Sequence, residues 1–310
     1  MIKISVILPV YNEEGNILIL YNRLKMVLEE LSYTHEIIFV SDGSTDGSEN
    51  IIKKLMVFDS NIKLLSFTRN FGHQMALIAG LNHSVGDMII IMDSDLQHPP
   101  ELIKNLIGKW EDGYEIVNTL RIDINQKGYL KKITSKYFYK LFSYISDIQL
   151  EGGSADFKLF DRKVVDSIKN LHENDIFLRG IIQWFGYSQT SISYIPDERW
   201  SGKTKYSIGK MIKFAISGIT SFSVVPLRLV IYMGFIVAGL SFVYLIINIY
   251  NALILKINIS GYTTTIISIL FLGGIQLISL GVIGEYIGKI LFEVKQRPKY
   301  ILKKQPITLL

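Results

Sequence analysis

The chain has 310 residues, which is enough for one α/β domain and a smaller appended segment. It contains no cysteine, so disulfides, thiolate zinc sites and cysteine nucleophiles are excluded, and any metal would need oxygen or histidine ligands. The formal net charge is +5 without a long basic run or a basic–aromatic stripe, so a nucleic-acid partner is not indicated. This charge fits an anionic lipid or a phosphorylated substrate.

Strand-like and helix-like segments alternate through the N-terminal part of the chain. The apolar segments 2–10, 36–40, 62–67 and 88–92 are predicted to be strands, and the segments 14–31, 48–58 and 74–85 are predicted to be helices. A further helix is predicted to begin at Pro99 and Pro100, because proline is tolerated in a first helical turn. The alternation predicts an α/β fold with a doubly wound, mostly parallel sheet, whose ligands lie beyond the carboxyl ends of the strands.

The last third of the chain has a different composition. Residues 229–255 and 257–284 contain no charged residue. Each run is long enough to cross a hydrocarbon core of about 30 Å, which takes about 20 helical residues, so we predict a transmembrane hairpin connected at residues 258–261. The alternative is a buried helical pair in a large soluble core, although adjacent uncharged runs of this length are rare in soluble domains.

Positive charge predicts the orientation of this hairpin. Basic residues flank the two apolar runs: Arg199, Lys203, Lys205, Lys210, Lys213 and Arg228 before the first, and Lys289, Lys295, Arg297, Lys299, Lys303 and Lys304 after the second. Between the two runs, Lys256 is the only basic residue. By the positive-inside rule, the N-terminal domain and both termini are expected on the cytoplasmic side of the inner membrane. The N-terminus has no signal-peptide pattern, which agrees with this orientation.

Three parts of the chain are predicted from these patterns. Residues 1–200 form the α/β domain, residues 201–225 an interfacial amphipathic segment, and residues 226–310 the hairpin with a basic cytoplasmic tail. Within the middle part, apolar residues at helical spacing share one face of residues 206–225, as expected for a helix that lies in the membrane interface. A helix that packs on the soluble domain has the same periodicity and is the alternative.

Two carboxylates follow the fourth predicted strand. Asp93 and Asp95 lie one residue apart at the ligand edge of the sheet. Carboxylate oxygens are preferred ligands of Mg²⁺ and Mn²⁺, and a divalent cation can neutralise a departing nucleotide diphosphate. An acidic turn after a strand would produce the same pair, but the continuation Leu-Gln-His-Pro-Pro at 96–100 strengthens the metal-site interpretation.

Six motifs carry a resemblance to a known family. In chain order they are residues 6–14 (VILPVYNEE), 40–47 (VSDGSTDG), 69–72 (RNFG), 93–100 (DSDLQHPP), 155–158 (ADFK) and 199–206 (RWSGKTKY). With them the chain resembles family-2 glycosyltransferases of the GT-A fold, and among these the polyprenyl-phosphate glycosyltransferases, namely the bactoprenol glucosyltransferases and the dolichol-phosphate mannose synthases. The resemblance spans nearly the whole chain, including the two apolar runs.

The resemblance implies roles for most candidate site residues. It implies Mg²⁺ or Mn²⁺ held with the donor diphosphate by Asp93, Asp95 and Gln97. The nucleotide-sugar residues that it implies are Pro9, Tyr11, Glu13, Asp42, Asp93, Arg199 and Lys205, and the acceptor-phosphate residues are Arg121, Lys131, Lys132 and Ser135. The choice between Lys131 and Lys132 stays open.

Asp42 and Arg69 each have a second interpretation. Asp42 with Gly43 would also suit a turn before a helix, and Arg69 would also suit a surface ion pair. Arg69 is predicted instead to face phosphate from the end of the third strand, because its planar guanidinium suits bidentate contact.

Asp95 and Asp156 are the predicted catalytic residues. The resemblance implies that Asp156 is a catalytic base, and Gly152 and Gly153 just before it allow close backbone approach to a ligand. A phosphate monoester has a second pKa near ~6 and is already largely a dianion, so Asp156 could orient the sugar or the acceptor instead. A helix-capping role is the structural alternative. The histidines without metal-ligand spacing are interpreted as structural: His73, His83 and His172.

The implied reaction is the inverting transfer of one sugar from a nucleotide-sugar to undecaprenyl or another polyprenyl phosphate at the cytoplasmic membrane face. UDP-glucose is the first choice of donor, with UDP-N-acetylglucosamine, UDP-galactose and GDP-mannose as alternatives. The product would be a lipid-linked sugar donor for modification of cell-envelope glycans. Small residues in the second apolar run, such as Gly273 and Gly281, would also allow close packing in a homo-oligomer.

Two other functions are weighed against this one. Arg199 and Trp200 resemble part of a motif of processive polysaccharide synthases, but Pro196 stands where that motif has glutamine, and two spans are few for an export channel. A membrane protein that only binds nucleotides is the non-catalytic alternative. The set of Asp93, Asp95, Gln97 and Asp156 argues against it.

Overall fold

A computed structural model of the chain describes residues 2–122, 153–173, 177–196, 223–254 and 261–303. These residues fall into two compact units: one comprises the described residues up to 196 together with 297–303, and the other comprises 223–296. Several predicted features lie outside the described residues: Lys131, Lys132, Ser135, Arg199, Lys205, and the interfacial segment up to residue 222.

The first unit is built on a seven-stranded mixed sheet in the order β3-β2-β1-β4-β6-β5-β7. The strands are β1 Lys3–Val10, β2 Thr34–Ser41, β3 Ile62–Ser66, β4 Met88–Ile91, β5 Ile116–Arg121, β6 Ser154–Asp161 and β7 Gln189–Tyr194. β1, β2, β3 and β4 pair in parallel, whereas β6 runs antiparallel to both of its neighbours, β4 and β5. β7 pairs in parallel with β5 at the far edge. The sheet is therefore GT-A-like, as expected, with β6 as its reversed strand.

Helices connect the strands, and the three predicted at 14–31, 48–58 and 74–85 have bounds close to those in the structure. They are α1 Ile17–Glu29, α2 Ser48–Phe58, α3 His73–His83, a 3₁₀ turn Pro100–Leu102, α4 Ile103–Glu111, α5 Arg162–Lys169, α6 Leu178–Trp184, and, in the second unit, α7 Val225–Leu253 and α8 Tyr262–Val294. The Pro99-Pro100 start is a 3₁₀ turn that leads into α4 at Ile103.

The core surrounds the central strands. Every residue of β1 from Ile4 to Val10 is buried, because parallel strands flank β1 on both sides and helices cover both of its faces. α1 contributes Leu20, Leu24 and Leu28 to this core, in agreement with the predicted helical face. α3 packs so closely on β1 that a Cβ on Gly80 would lie 2.2 Å from Ile7 Cγ2.

The chain returns to the first unit after the second apolar helix. Leu302 forms an antiparallel bridge with Phe67, Thr68 N–H donates to Ile301 O (3.0 Å), and Lys303 N–H donates to Ser66 O (2.7 Å). The Tyr300 ring stacks on Phe67, with 5.1 Å between the ring centroids. The tail thus extends the exposed edge of β3, a feature that the sequence analysis did not include.

The second unit contains the two apolar helices. Residues Val225–Asn251 and Phe271–Val294 are long and apolar enough to cross a membrane, and no residue of their most apolar stretches is buried. Large side chains such as Phe235 (73 % exposed) and Leu277 (71 %) face outward. This exposure contradicts the alternative of a helical pair buried in a soluble core. Compared with the predicted runs, α8 begins later and continues through Glu285 to Val294.

Candidate active site

The candidate site lies where the carboxyl ends of β1, β2 and β4 meet the first residues of β6. The antiparallel register pairs Ile91 with Lys158, and continuing it by two residues brings Asp93 beside Asp156. Asp156 lies inside β6, so the helix-capping alternative is wrong. The reversed direction of one strand therefore brings together two carboxylates that lie far apart in the sequence.

Asp93 is held by its backbone, while one of its carboxylate oxygens has no hydrogen-bond donor among the described residues. Its N–H donates to Nδ1 of His98, a buried ring that stacks on Phe157 at 5.3 Å between centroids. The buried Oδ1 atom of Asp93 accepts no hydrogen bond from any residue that the structure describes. Burial raises the pKa of the Asp93 carboxyl, His98 and His73 oppose this shift, and the charges of Asp156 and Asp95 add to it. The His73 ring, whose Nε2 lies 3.4 Å from this oxygen, offsets part of the cost of burial when protonated, and a bound metal cation would offset more.

A strained turn presents Asp95 and Gln97 next to Asp93. Leu96 has a φ of 65°, a left-handed conformation that is uncommon for leucine, and its side chain is only 4 % exposed. The Asp95 Oδ1 atom accepts the Gln97 N–H (3.2 Å), and the Ser94 hydroxyl donates to Pro9 O (2.8 Å). Backbone strain of this kind costs about 1–3 kcal/mol and is typically found at functional sites, where packing sustains it. Burial of Leu96 supplies that packing here.

His73 joins the two carboxylates, a role that its interpretation as a structural residue missed. It begins α3 directly after Gly72, whose φ is 104°. Its Nε2 atom lies 3.4 Å from Asp93 Oδ1 and 3.6 Å from Asp156 Oδ2. Burial alone would lower the pKa of His73, but contact with Asp156 and the charges of Asp93 and Asp156 raise it to about 9. An available sequence signal was the position of His73 directly after the RNFG motif.

Asp156 has a second cationic partner on its other side. Arg179 of α6 donates from Nε to Asp156 Oδ1 at 2.8 Å. The carboxylate is 11 % exposed and the Arg179 side chain 27 %. Burial by itself would raise the pKa of Asp156, but the charge of Arg179 and the contact with His73 hold it well below its usual range. Asp156 is therefore a stable anion.

Asp42 and Gly43 hold the segment that carries Arg69. Asp42 is buried and accepts the N–H groups of Phe71 (2.6 Å) and Gly72 (3.0 Å). Gly43 has a φ of 68°, and a Cβ there would lie 2.5 Å from the carbonyl carbon of Arg69, so only glycine fits this approach. These contacts give both residues a structural role at this position, and the nucleotide role of Asp42 stays a prediction.

The remaining described site residues lie around the same edge of the sheet. Arg69 is exposed, with its guanidinium 4.0 Å from the Phe71 ring centroid. Arg121, at the end of β5, donates from Nη1 to Gln97 Oε1 (3.2 Å), so a predicted acceptor residue touches a predicted metal ligand. Tyr11 is 39 % exposed beyond β1, and Glu13 accepts from Asn16 Nδ2 at 2.7 Å.

Two family models match this chain. Residues 5–169 match the model of glycosyl transferase family 2, and residues 225–290 match that of the GtrB C-terminal hairpin. This chain belongs to glycosyltransferase family 2. It is 45 % identical over 302 residues to a prophage bactoprenol glucosyl transferase homolog of Escherichia coli (strain K12), covering 97 % of this chain and 99 % of that relative. It is 46 % identical to the bactoprenol glucosyl transferase of Shigella phage SfII, covering 97 % and 98 %.

A solved structure supports the fold of this glycosyltransferase. The crystal structure of mannosyl-3-phosphoglycerate synthase from Rubrobacter xylanophilus superimposes with a TM-score of 0.50 at 14 % identity, over 70 % of this chain and 71 % of that one. At this level of identity the similarity concerns the arrangement of strands and helices alone.

The oxygen donors of this glycosyltransferase fit a divalent cation. Asp93 offers a buried oxygen without a hydrogen-bond donor among the described residues, and Asp95 adds a second carboxylate two positions later. Within the described part of the chain, no group of three or more acidic or histidine side chains is placed to hold a metal. Mg²⁺ is commonly bound by only one or two carboxylates, with water and substrate phosphates completing its shell. The residues therefore fit a metal that the donor diphosphate would share.

The first prediction concerns the protonation of His73 in the metal-free enzyme. We expect its imidazole to titrate above the ordinary 6.5, toward about 9, because Asp93 and Asp156 stabilise the cation. The His73 side chain is 42 % exposed, so solvent screens these charges and about 9 is the upper end of the expected pKa. Since the folded pKa is the higher one, the stabilisation is complete below 6.5 and is lost as the pH rises through about 9.

Imidazole NMR of the full chain in detergent measures this pKa, with His73→Gln to assign the signal. Asp156→Asn should lower the midpoint, and Mg²⁺ should lower it too, because a second cation would compete for Asp93. A midpoint at or below 6.5 in the metal-free wild type would contradict the assignment.

Proposed function

We propose that this glycosyltransferase moves one sugar from a nucleotide-sugar, with UDP-glucose as the first choice, to a polyprenyl phosphate at the cytoplasmic face of the inner membrane, with inversion of configuration. The observation that carries the proposal is the cluster of Asp93, His73 and Asp156 at the ligand edge of the sheet. The bactoprenol glucosyl transferase names of relatives that match almost the full chain support the lipid acceptor.

In the proposed reaction a phosphate oxygen of the acceptor attacks the anomeric carbon of the donor sugar. The bond from that carbon to the donor diphosphate breaks on the opposite face, and the nucleoside diphosphate leaves with the electron pair. Such a transition state carries oxocarbenium-like positive charge. No proton needs to leave the nucleophile, because the acceptor phosphate is already largely dianionic near neutral pH.

The chain's own residues would bind and orient the two substrates. Asp93 and Asp95, with Gln97, would hold a divalent metal, which supplies charge neutralisation for the leaving diphosphate. Asp156 would act as a fixed anion beside the reacting sugar, orienting its hydroxyl groups or stabilising the developing positive charge. The nucleoside is proposed to lie against Pro9, Tyr11, Glu13 and Asp42.

Basic residues would bind the two phosphate groups. Arg69, Arg199 and Lys205 are proposed at the donor diphosphate. Arg121, together with Lys131 or Lys132 and with Ser135, is proposed at the acceptor phosphate. The contact between Arg121 and Gln97 supports this division, because in-line attack requires the acceptor phosphate to lie close to the diphosphate site.

The apolar hairpin would anchor the enzyme where the acceptor is found. We propose that α7 and α8 span the inner membrane and that both termini are cytoplasmic, since basic residues flank the hairpin on its terminal sides. The catalytic domain would then work at the level of the lipid phosphate groups. Homo-oligomerisation through small residues of the spans remains part of the proposal.

A transfer assay with labelled nucleotide-sugars, supplied one at a time, tests this function. The purified full chain is incubated in liposomes with undecaprenyl phosphate, Mg²⁺ or Mn²⁺, and UDP-glucose, UDP-N-acetylglucosamine, UDP-galactose or GDP-mannose. We expect one lipid-linked monosaccharide, whose anomeric configuration by NMR is opposite to that of the donor. A growing polymer would favour a processive synthase. Nucleotide binding without turnover for any donor would favour the non-catalytic alternative.

A further inference from the structure

The short helix α6 directs two polar side chains to two different strands of the sheet. α6 buries Leu178, Ile181 and Ile182, while Arg179 and Gln183, one helical turn apart, reach neighbouring strands. Arg179 donates to Asp156 at the start of β6. Gln183 forms a reciprocal amide pair with Gln189 at the start of β7, with N–O distances of 3.1 and 2.7 Å. Arg179 thus contacts a carboxylate of the candidate site, whereas Gln183 bonds to β7.

Each oxygen of Asp156 has a different cationic neighbour. Arg179 Nε lies 2.8 Å from Oδ1, and His73 Nε2 lies 3.6 Å from Oδ2. The same His73 atom lies 3.4 Å from Asp93 Oδ1. A chain of contacts thus runs from Arg179 through Asp156 and His73 to the carboxylate proposed to hold the metal. Because Asp156 is 11 % exposed, few other rotamers would keep its charge solvated or paired.

We propose that Arg179 is a positioning residue of the transfer reaction: its Nε–H···Oδ1 hydrogen bond locks the Asp156 carboxylate, as an anion, in the orientation that presents Oδ2 to the site shared with His73 and Asp93. This inference rests on the proposed function and deepens it. It assigns Asp156 to orienting and charge stabilisation instead of proton removal. A carboxylate bonded to a guanidinium is a weak proton acceptor, and the acceptor phosphate supplies no proton that must be removed.

The role predicts a loss in turnover without a matching loss in donor binding. Arg179→Gln in the full chain should lower kcat about 10- to 100-fold, the usual range for a hydrogen bond between charged groups, while KM for the donor changes less than about threefold. Arg179→Ala should regain part of its turnover when guanidinium chloride is added at tens of millimolar, and an equal concentration of sodium chloride should have no effect.

Gln183→Ala is the matched control, because Gln183 lies on the same face of the same helix and bonds to Gln189 instead of Asp156. It should keep kcat within about threefold. In an Asp156→Asn background, Arg179→Gln should cause little further loss, because the effect passes through Asp156. An unchanged kcat for Arg179→Gln would overturn the positioning role. So would an equal loss of kcat in Gln183→Ala together with no rescue of Arg179→Ala by guanidinium, because Arg179 would then only help to pack the helix.

The proposed function and the positioning role can fail separately. A wild-type chain that is inactive with every donor overturns the function. The positioning role is then judged by the imidazole NMR signals of His73, which should shift in Arg179→Gln and stay in place in Gln183→Ala. Unchanged His73 signals in Arg179→Gln would overturn the role whatever the donor proves to be.

Discussion

Asp95→Ala should lower the rate of sugar transfer by about a thousandfold or more, and chelation of divalent cations should do the same to the wild type. Loss of metal-based charge stabilisation costs several kcal/mol, and each 1.36 kcal/mol is roughly tenfold in rate. Asp95 lies next to the strained turn at Leu96 and two residues after Asp93, whose buried Oδ1 has no hydrogen-bond donor among the described residues. The measurement is lipid-linked product formed per minute in liposomes with saturating donor.

Asp112→Ala is a suitable control for that experiment. Asp112 is an exposed aspartate after α4, where it pairs with Lys109 away from the strand ends. Its replacement should leave the rate within about twofold, since exposed ion pairs contribute little. In the wild type, excess Mg²⁺ or Mn²⁺ after EDTA should restore activity, whereas Asp95→Ala should not recover. Full activity in EDTA would refute the metal requirement.

Removal of the apolar hairpin should abolish most transfer to a long-chain acceptor while donor binding persists. The residues proposed to bind the nucleotide and its metal all belong to the first unit: Pro9, Tyr11, Asp42, Asp93 and Asp95. Anchoring confines enzyme and acceptor to one membrane surface, and such confinement is worth about 10²- to 10⁴-fold without any new contact. We therefore expect a loss of this size with undecaprenyl phosphate in liposomes, and a much smaller loss with a short, water-soluble polyprenyl phosphate.

The design of this deletion must account for the C-terminal tail. A chain ending near Ser201 would also lose Tyr300 to Lys303, which pair with the segment just before Arg69. A better variant replaces residues 223–296 with a flexible linker and keeps the tail, and full-length Tyr300→Ala measures the tail alone. Nucleotide affinity by calorimetry should fall more in the chain ending near Ser201 than in the linker variant. Undiminished transfer by the linker variant would show that the hairpin does not present the acceptor.

Local sequence patterns were sufficient for most of the first unit's framework. The alternation of apolar strands with amphipathic helices predicted β1 to β4 and α1 to α3 within a few residues, because burial of β1 on both faces requires a continuous apolar run. The strand-end position of Asp93 and Asp95 followed from the same alternation. The two apolar helices were evident from composition alone, because spanning length and absence of charge are local properties.

Contacts between distant segments determined the surroundings of Asp156, which local sequence patterns did not predict. His73 was interpreted as structural, since one histidine without neighbouring ligands in sequence carries no metal signal, yet α3 places it between Asp93 and Asp156. Arg179 carried no signal at all, because its role depends on the hydrogen bond that it makes from α6 to Asp156 in β6.

The sequence by itself thus determined the fold class, the family, the position of the carboxylate pair at the end of β4 and the apolar hairpin, since each is encoded in continuous stretches of residues. Only the tertiary structure decided which residues surround Asp156 and where the tail ends. Both depend on antiparallel pairing, of β6 with β4 and of Leu302 with Phe67, between segments that are distant in the chain. Such pairings depend on the packing of the whole sheet, and the residues of a single segment do not determine its partner.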